Sequence, residues 1–490
     1  MIANLTAFSS TLAGKSPPAI EIADAPKPST RSYATEIGAD PRMEPGDPLA
    51  ARALALDVLL RVDATAAHAD ATLAAALAST RLDARDRALA SRLVYGTLAW
   101  LGRLDWQLAR LTDRDCASFD PRVRMALRLG LYQITLLDRV PAHAAVTTSV
   151  DLAKRAVPAA GRLVNAVLRR AVRERNSLPL PDAARDPLAH LAVALSHPRW
   201  LVERWQRRFG DEVGDLLAAD NEAAPTVLRA RPGARDDLLA RLRAAGIACE
   251  AGRFAPDAVR VQAVDPHALP GWSAGVFSVQ EEASQLVTWL LDPLPGMRVL
   301  DACAAPGGKS AHAAERMRDE GMIAACDRRR RGALAIARNA VRLGLRSIRP
   351  LVLDARNADA VLARGSFDRI LVDAPCSGLG TLRAHPEIRW RRSPDDLRRF
   401  AATQHRLLDA VTPLLRPGGV IVYATCTLTD EENDDVVERW LAAHPTLRRE
   451  DAADILPPTA RTLVDGRGAL RTLPHRHGLD GFFAVRARRA

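Results

Sequence analysis

From about residue 271 onward, short runs rich in Val, Ile and Leu alternate with longer helical stretches. The runs are MRVLDA, GMIAACD, IRPLVLDA, DRILVDAP and GVIVYATC. Between them lie KSAHAAERM, RRGALAIARNAVRLGL and SPDDLRRFAATQHRLLDAVTPLL. Runs this apolar and this short are strands buried on both faces, and regular alternation with helices implies a mostly parallel sheet wrapped by helices. The closing GFFAVRAR alternates with a period of two and is expected to join that sheet antiparallel. The fold class expected for 271–490 is therefore Rossmann-like α/β.

The other segments read differently. Residues 1–45 are rich in Ser, Thr, Ala and Pro without periodicity, so a disordered tail is expected. Over 46–175 the apolar residues recur at helical spacing. Leu54, Val58 and Val62 form one stripe, a second runs from Leu89 through Trp100 to Leu111, and Val123, Leu127, Leu131 and Ile134 form a third. This predicts an all-α bundle with arginines on its outer faces, as a solvated scaffold or an RNA-binding domain. Residues 176–270 begin with the connector SLPLPDAARDP and continue as strand (TVLRA), helix (ARDDLLARLRAAG) and strand (AVRVQAV), a small α+β module. Arg229, Arg231, Arg241 and Arg243 make it either an RNA contact or a spacer.

Charge and cysteine usage narrow the class. The 490 residues carry a formal charge of +11, almost wholly from arginine, which favours polyanion partners. Lysine occurs only at Lys15, Lys27, Lys154 and Lys309. Six cysteines in a chain of this length make no disulfide scaffold, and none are spaced as zinc ligands, so no metal centre is expected. The N-terminal stretch lacks the basic start and apolar core of a secretory signal, and no apolar run reaches membrane-spanning length. A cytoplasmic, soluble chain is the expectation.

In sheets of this kind ligands bind beyond the carboxyl ends of the strands. DACAAPGGKS (301–310) follows the first strand and opens a helix, whose free N–H groups suit an anion. A phosphate-loop NTPase would need Gly, four residues, then Gly-Lys-Ser/Thr. Gly308, Lys309 and Ser310 fit, but Cys303 takes the first glycine's place. The alternative is a nucleoside-bearing cofactor across the sheet. Asp327 ends the second run, 18 residues after Lys309 and close to the spacing of ribose-binding acids in dinucleotide folds. Asp354 and Asp373 end the third and fourth. A single such acid is usually a turn former; three around one Gly-rich loop point to a ligand.

CAAPGGK, DAPCSG and YATCT together resemble the class I, S-adenosylmethionine-dependent RNA cytosine-5 methyltransferases. RALALDVLLRVD, SRLVYGTLAWLGRLDWQL, the stretch from ALRLGLYQITLL to VDLAK, and LVNAVLRR are similar to the NusB-type RNA-binding domain. The combination resembles bacterial 16S ribosomal RNA methyltransferases of the RsmB type. The resemblance implies S-adenosylmethionine as cofactor, bound by Cys303, Ala304, Ala305, Pro306, Gly307, Gly308 and Lys309. It further implies Asp327 on the ribose, Asp354 on the adenine side and Asp373 beside cofactor and base. Cys426 would be the nucleophile, Cys376 the product-release residue and Asp373 the group that stabilises charge. The substrate implied is cytosine 967 of 16S rRNA before full subunit assembly; another RNA, such as tRNA or 23S rRNA, is the alternative. A monomer without metal or membrane attachment is expected. Glu281 stands where aspartate is usual in this family, and Thr427 where serine is common.

The chemistry accounts for the thiols. Cytosine C5 is a poor nucleophile until a thiolate adds at C6, which is covalent catalysis. Without the resemblance, two strand-end cysteines converging on one pocket are all that can be read, and the bland reading is two small buried hydrophobes. Cys303 is expected to contribute backbone to the loop, and Cys116, Cys249 and Cys326 to be structural. A base reached in this way must leave its stack. The arginines and Trp390 of HPEIRWRRSP are candidates for phosphate contact and stacking, and Arg328–Arg331 for phosphate contact or a solvated face. His385 is expected to position rather than to act as a base.

Overall fold

The computed structural model describes residues 47–65, 67–262 and 265–490. The tail expected over 1–45 lies outside the described residues. Seven helices come first: α1 (Ala50–Ala64), α2 (Ala69–Ala78), α3 (Ala84–Ala99), α4 (Leu101–Thr112), α5 (Pro121–Leu136), α6 (Ala142–Ala156) and α7 (Gly161–Arg173). The predicted stripes pack as one core, with Leu54, Val58, Leu93, Leu104, Leu108, Leu127 and Leu131 all buried. The second stripe is divided between α3 and α4, because the chain breaks its helix at Trp100. Arginines are not confined to the outer faces. Arg128 is buried and forks onto Asp105 through two bonds of 2.7 Å, and buried Arg52 donates to Gln133 Oε1 at 2.7 Å. Burial of the Arg128 guanidinium is tolerated because the fork onto Asp105 compensates its charge.

Next come α8 (Pro187–Ala194), α9 (Arg199–Phe209) and α10 (Val213–Ala219). The small sheet follows: β1 (Thr226–Ala230), α11 (Arg235–Ala244), β2 (Cys249–Ala251), β3 (Ala258–Val261) and β4 (Phe277–Val279), in the order β2-β3-β1-β4. Every pairing is antiparallel. The expected strand–helix–strand unit is present, with β2 and β4 added. β4 lies beyond residue 270 yet pairs with β1, so the small sheet takes its edge strand from the segment that leads into the large one.

The large sheet occupies the remainder. Its elements are α12 (Glu282–Leu291), β5 (Arg298–Asp301), α13 (Gly308–Arg316), β6 (Met322–Asp327), α14 (Arg330–Leu343), β7 (Ile348–Val352) and β8 (Phe367–Asp373). They continue with α15 (Ile388–Arg391), α16 (Pro394–Val411), β9 (Leu415–Thr425), α17 (Asp434–Ala443), β10 (Leu447–Glu450), β11 (Leu470–Arg471), α18 (Pro474–His477) and β12 (Phe483–Arg489). The strand order is β10-β12-β9-β8-β5-β6-β7, with β11 paired to β12. β5 to β9 run parallel, and β12 enters antiparallel to β9, as its alternation predicts. The apolar runs are continuous because both faces are covered. Ile323 and Ala325 of β6 join one core, whereas Ala324 and Cys326 join the other. The chain proceeds from β5 through β6 to β7 on one side and returns to β8 and β9 on the other. The order therefore reverses between β5 and β8, where open α/β sheets hold their ligands.

Candidate active site

Asp301, Asp327 and Asp373 are the last residues of β5, β6 and β8, and Cys426 immediately follows β9. Asp354 lies two residues past β7, where it caps a short helical turn instead of closing the strand. One parallel sheet thus delivers residues from four separate segments to one edge.

The loop from β5 to α13 is shaped by Gly307. Its φ is +103°, and a Cβ there would lie 3.2 Å from Ile336 Cα of α14. Only glycine takes that backbone without strain. At Gly308 a Cβ would meet nothing within 4 Å, so the first turn of α13 opens onto free space. Ser310 Oγ donates to Asp301 Oδ2 at 2.6 Å, and Asp301 Oδ1 is buried without a hydrogen-bond partner. Burial pushes the Asp301 carboxyl up to about 6, against the Ser310 bond. The Cys303 thiol is held well above the usual range by burial and then by Asp301 and Asp373, so it stays protonated.

Lys309 turns back across the sheet, its Nζ 2.7 Å from Asp373 Oδ2 and 5.4 Å from the centre of the Phe482 ring. Burial opposes its charge, but Asp373 and Cys426 outweigh burial and raise its pKa. Asp327 accepts from Arg329 N at 2.7 Å. Asp354 accepts from Arg356 Nε at 2.9 Å, and that bond lowers its pKa.

The two cysteines of DAPCSG and YATCT meet, with Cys376 Sγ 3.3 Å from Cys426 Sγ. The bond to Cys426 and then burial raise the Cys376 thiol well above its ordinary value. Between the two loops sits Glu432, wholly buried, a residue the sequence reading missed. Its Oε2 accepts from Ser377 N at 2.8 Å and Gln404 Nε2 at 3.1 Å, and its Oε1 from Thr429 Oγ1 at 3.0 Å. Ser377 and Thr427 hydroxyls lie 2.7 Å apart, and Asn433 Nδ2 donates to Thr427 O at 3.0 Å. The run Asp430-Glu431-Glu432 looks like a solvated acidic turn; the available signal was its start four residues after a strand-end cysteine. A third loop closes on this pair, Gly481 N donating to Gly380 O at 2.7 Å and Gly380 N to Cys426 O at 3.0 Å. Side chains are excluded there, since a Cβ on Gly380 would fall 2.0 Å from Gly481 O.

Several expected RNA contacts are committed elsewhere. Arg389 is fully buried and donates to Ser196 O at 3.1 Å, Asn221 Oδ1 at 2.7 Å and Asp220 O at 2.9 Å. Trp390 Nε1 donates to Leu98 O at 3.1 Å, Arg391 Nη1 to Ala67 O at 2.9 Å, and Arg392 Nε to Ser377 O at 2.8 Å. These side chains join the helical bundle to the cysteine loop, because backbone carbonyls at helix ends need donors. Arg229 is likewise buried, and Arg231 Nη2 donates to Leu343 O at 2.8 Å, whereas Arg241, Arg243 and Arg328–Arg331 remain exposed. His385 lies against His68, ring centres 6.1 Å apart, and His68 Nδ1 is 3.5 Å from buried Glu387. Among the described residues Cys116 and Cys326 are buried and Cys249 is half-buried.

Comparison with known proteins places this geometry in a family. Residues 288–488 match the model of 16S rRNA methyltransferase RsmB/F, residues 49–173 the NusB family, and residues 197–266 the ferredoxin-like domain of RsmF/B-like methyltransferases. A Bacillus subtilis protein named "Probable ribosomal RNA small subunit methyltransferase B" is 38% identical over 89% of this chain and 98% of its own length. The chain belongs to the RsmB/F methyltransferase family. A Pseudomonas putida member, ribosomal RNA small subunit methyltransferase B, is 38% identical over 82% of this chain and 90% of its own. The crystal structure of PH0851 is similar with a TM-score of 0.78 and 25% identity, covering 90% of this chain and 98% of that one. The all-α, α+β and α/β parts expected from sequence are those of the family, and the phosphate-loop reading of 303–310 gives way to it. Among the described residues no helix is long and apolar enough to cross a membrane.

Proposed function

We propose that the protein transfers a methyl group from S-adenosylmethionine to C5 of cytosine 967 in 16S rRNA, acting as a cytoplasmic monomer on RNA not yet fully assembled. Residues 46–175 bind RNA, 176–270 form the connecting module and 271–490 carry the catalysis. The observation that supports this reading best is the 3.3 Å approach of Cys376 and Cys426 beside the Lys309–Asp373 pair. A metal site or a core-filling role accounts for neither the pairing nor its position at the strand ends.

The residues present fit the cofactor. Gly308 faces open space, the first turn of α13 offers N–H groups, and Asp301 Oδ1 is a buried acceptor lacking a donor. Cys303 to Lys309 hold the methionine and ribose side, Asp327 the ribose, Asp354 the adenine side, and Asp373 lies between cofactor and base. When bound, S-adenosylmethionine supplies an electrophilic methyl group. Cys426 adds as thiolate to C6, and the electron pair released from the C5–C6 bond makes C5 nucleophilic. Asp373, held by Lys309, hydrogen-bonds the cytosine edge as charge develops. After transfer a base removes the C5 proton, the C6–S bond breaks, the ring double bond returns and Cys426 leaves as thiolate. Cys376, kept protonated by its surroundings, assists that departure.

The two thiols separate in one experiment. With target RNA and cofactor, Cys376→Ala is expected to accumulate a covalent protein–RNA adduct on denaturing gels, and Cys426→Ala to form none. The opposite pattern would reverse the assignment. Sequencing for 5-methylcytosine in RNA from a deletion strain tests the position, and methylation lost from tRNA or 23S rRNA instead would sink the 16S reading.

A further inference from the structure

The small antiparallel sheet reaches into the cofactor loop through one buried side chain. Arg229, in β1, is wholly enclosed between that sheet and α13. Its Nη1 donates to Gly308 O at 2.9 Å, and its Nε and Nη2 to Glu315 Oε2 at 3.2 and 2.9 Å. The same guanidinium is bonded to Gln280 and, at 3.4 Å, to Ser278 Oγ, both in or just after β4. Halfway along α13, His312 Nε2 lies 3.6 Å from Asp257 Oδ2, with both residues buried.

Residues 308, 312 and 315 share one face of α13, at the i, i+4, i+7 spacing of a helix. A face turned to a neighbouring domain is ordinarily apolar. Here it is polar: Arg229 bonds both Gly308 O and Glu315, and His312 faces Asp257 at 3.6 Å, beyond hydrogen-bond length. Burying an ion pair brings little net stability over an apolar contact of the same volume, and its attested use is to specify register. The carbonyl gripped by Arg229 belongs to the peptide joining Gly308 to Lys309. Its position therefore sets both the first turn that faces the free space and the base of the side chain that reaches Asp373. A second clamp holds the next helix, since Arg231 Nη2 bonds Leu343 O at the end of α14.

We infer that the small module is a brace for the cofactor loop, and that Arg229 is the positioning residue through which it sets cofactor affinity. This rests on the reading of 303–309 as the cofactor loop, and wild-type titration tests that reading separately. The full-length chain is titrated calorimetrically with S-adenosylmethionine and S-adenosylhomocysteine. No binding to the wild type would remove the cofactor reading itself. Given binding, Arg229→Met/Glu315→Gln, which removes both charges together, is expected to bind either compound about tenfold more weakly, roughly 1.4 kcal/mol. The loss should fall mainly on KM for the cofactor and little on kcat at saturation or on RNA affinity. Arg229→Lys, which keeps the charge but has no fork to span Gly308 and Glu315, should fold and show a smaller loss of the same kind. If the double variant does not fold, Arg229→Lys decides by the same titration. Wild-type cofactor affinity in a folded variant, or a loss confined to kcat, would overturn the inference.

Discussion

At the scale of single residues, the buried carboxylate of Glu432 organises the loops that carry the two converging thiols. It holds the backbone beside Cys376, the Thr429 hydroxyl beyond Cys426 and the Gln404 amide at once. Glu432→Ala removes all three acceptor contacts, leaving the Ser377 N–H, the Gln404 amide and the Thr429 hydroxyl without their acceptor. A buried unsatisfied group costs about 1–3 kcal/mol, so denaturant melts should show a loss of that order. Single-turnover methylation should slow by about tenfold or more, because misplacement by an ångström at a reacting centre is worth up to a hundredfold. A variant with wild-type single-turnover rate would refute the positioning role. The cysteines and Asp373 were legible in sequence because each sits in a strand-end motif. Glu432 was not, because a carboxylate in an acidic run looks the same whether water or a hydrogen-bonded pocket surrounds it.

Elements were legible where the pattern was periodic. β5 to β9 match the apolar runs, and α16 begins at Pro394 behind a Ser393–Asp396 capping box. What the pattern could not convey was the use of the segment from α15 to α16, where four side chains suited to RNA bind carbonyls of other elements. Arg389, Trp390 and Arg391 each bond residues far away in sequence. The loop opening α13 makes its own prediction. Gly307→Ala must place a Cβ at a φ of +103° and 3.2 Å from Ile336 Cα, and should cost at least about 1 kcal/mol in thermal or urea melts. Cofactor titration should weaken in parallel. An alanine variant as stable and as tight as wild type would contradict this account of the loop.

At the scale of the whole molecule, buried charge at the junctions gives stability a pH dependence. Asp220, enclosed near Arg389 and His197, has its carboxyl pushed up to about 7 by burial, with Arg389 opposing. Because the folded state holds this proton more tightly than the unfolded chain, stability falls as pH rises from the ordinary carboxylate range through about 7. Asp220→Asn removes that penalty. Urea unfolding should find the variant more stable than wild type at pH 8, by about 1–3 kcal/mol, and the difference should vanish towards pH 4. A variant less stable at pH 8 would show that the ionised carboxylate is a net asset to Arg389.

Periodicity and motif alone determined the three-part organisation, the parallel sheet and the residues at its carboxyl edge, since hydrophobic spacing and backbone requirements are local properties of a chain. Only the tertiary structure decided which charged side chains are spent inside. Arg128, Arg229, Arg389 and Glu432 are buried where residues distant in sequence supply hydrogen-bond partners. That decision depends on which groups the fold brings within about 3 Å, a quantity no local pattern contains.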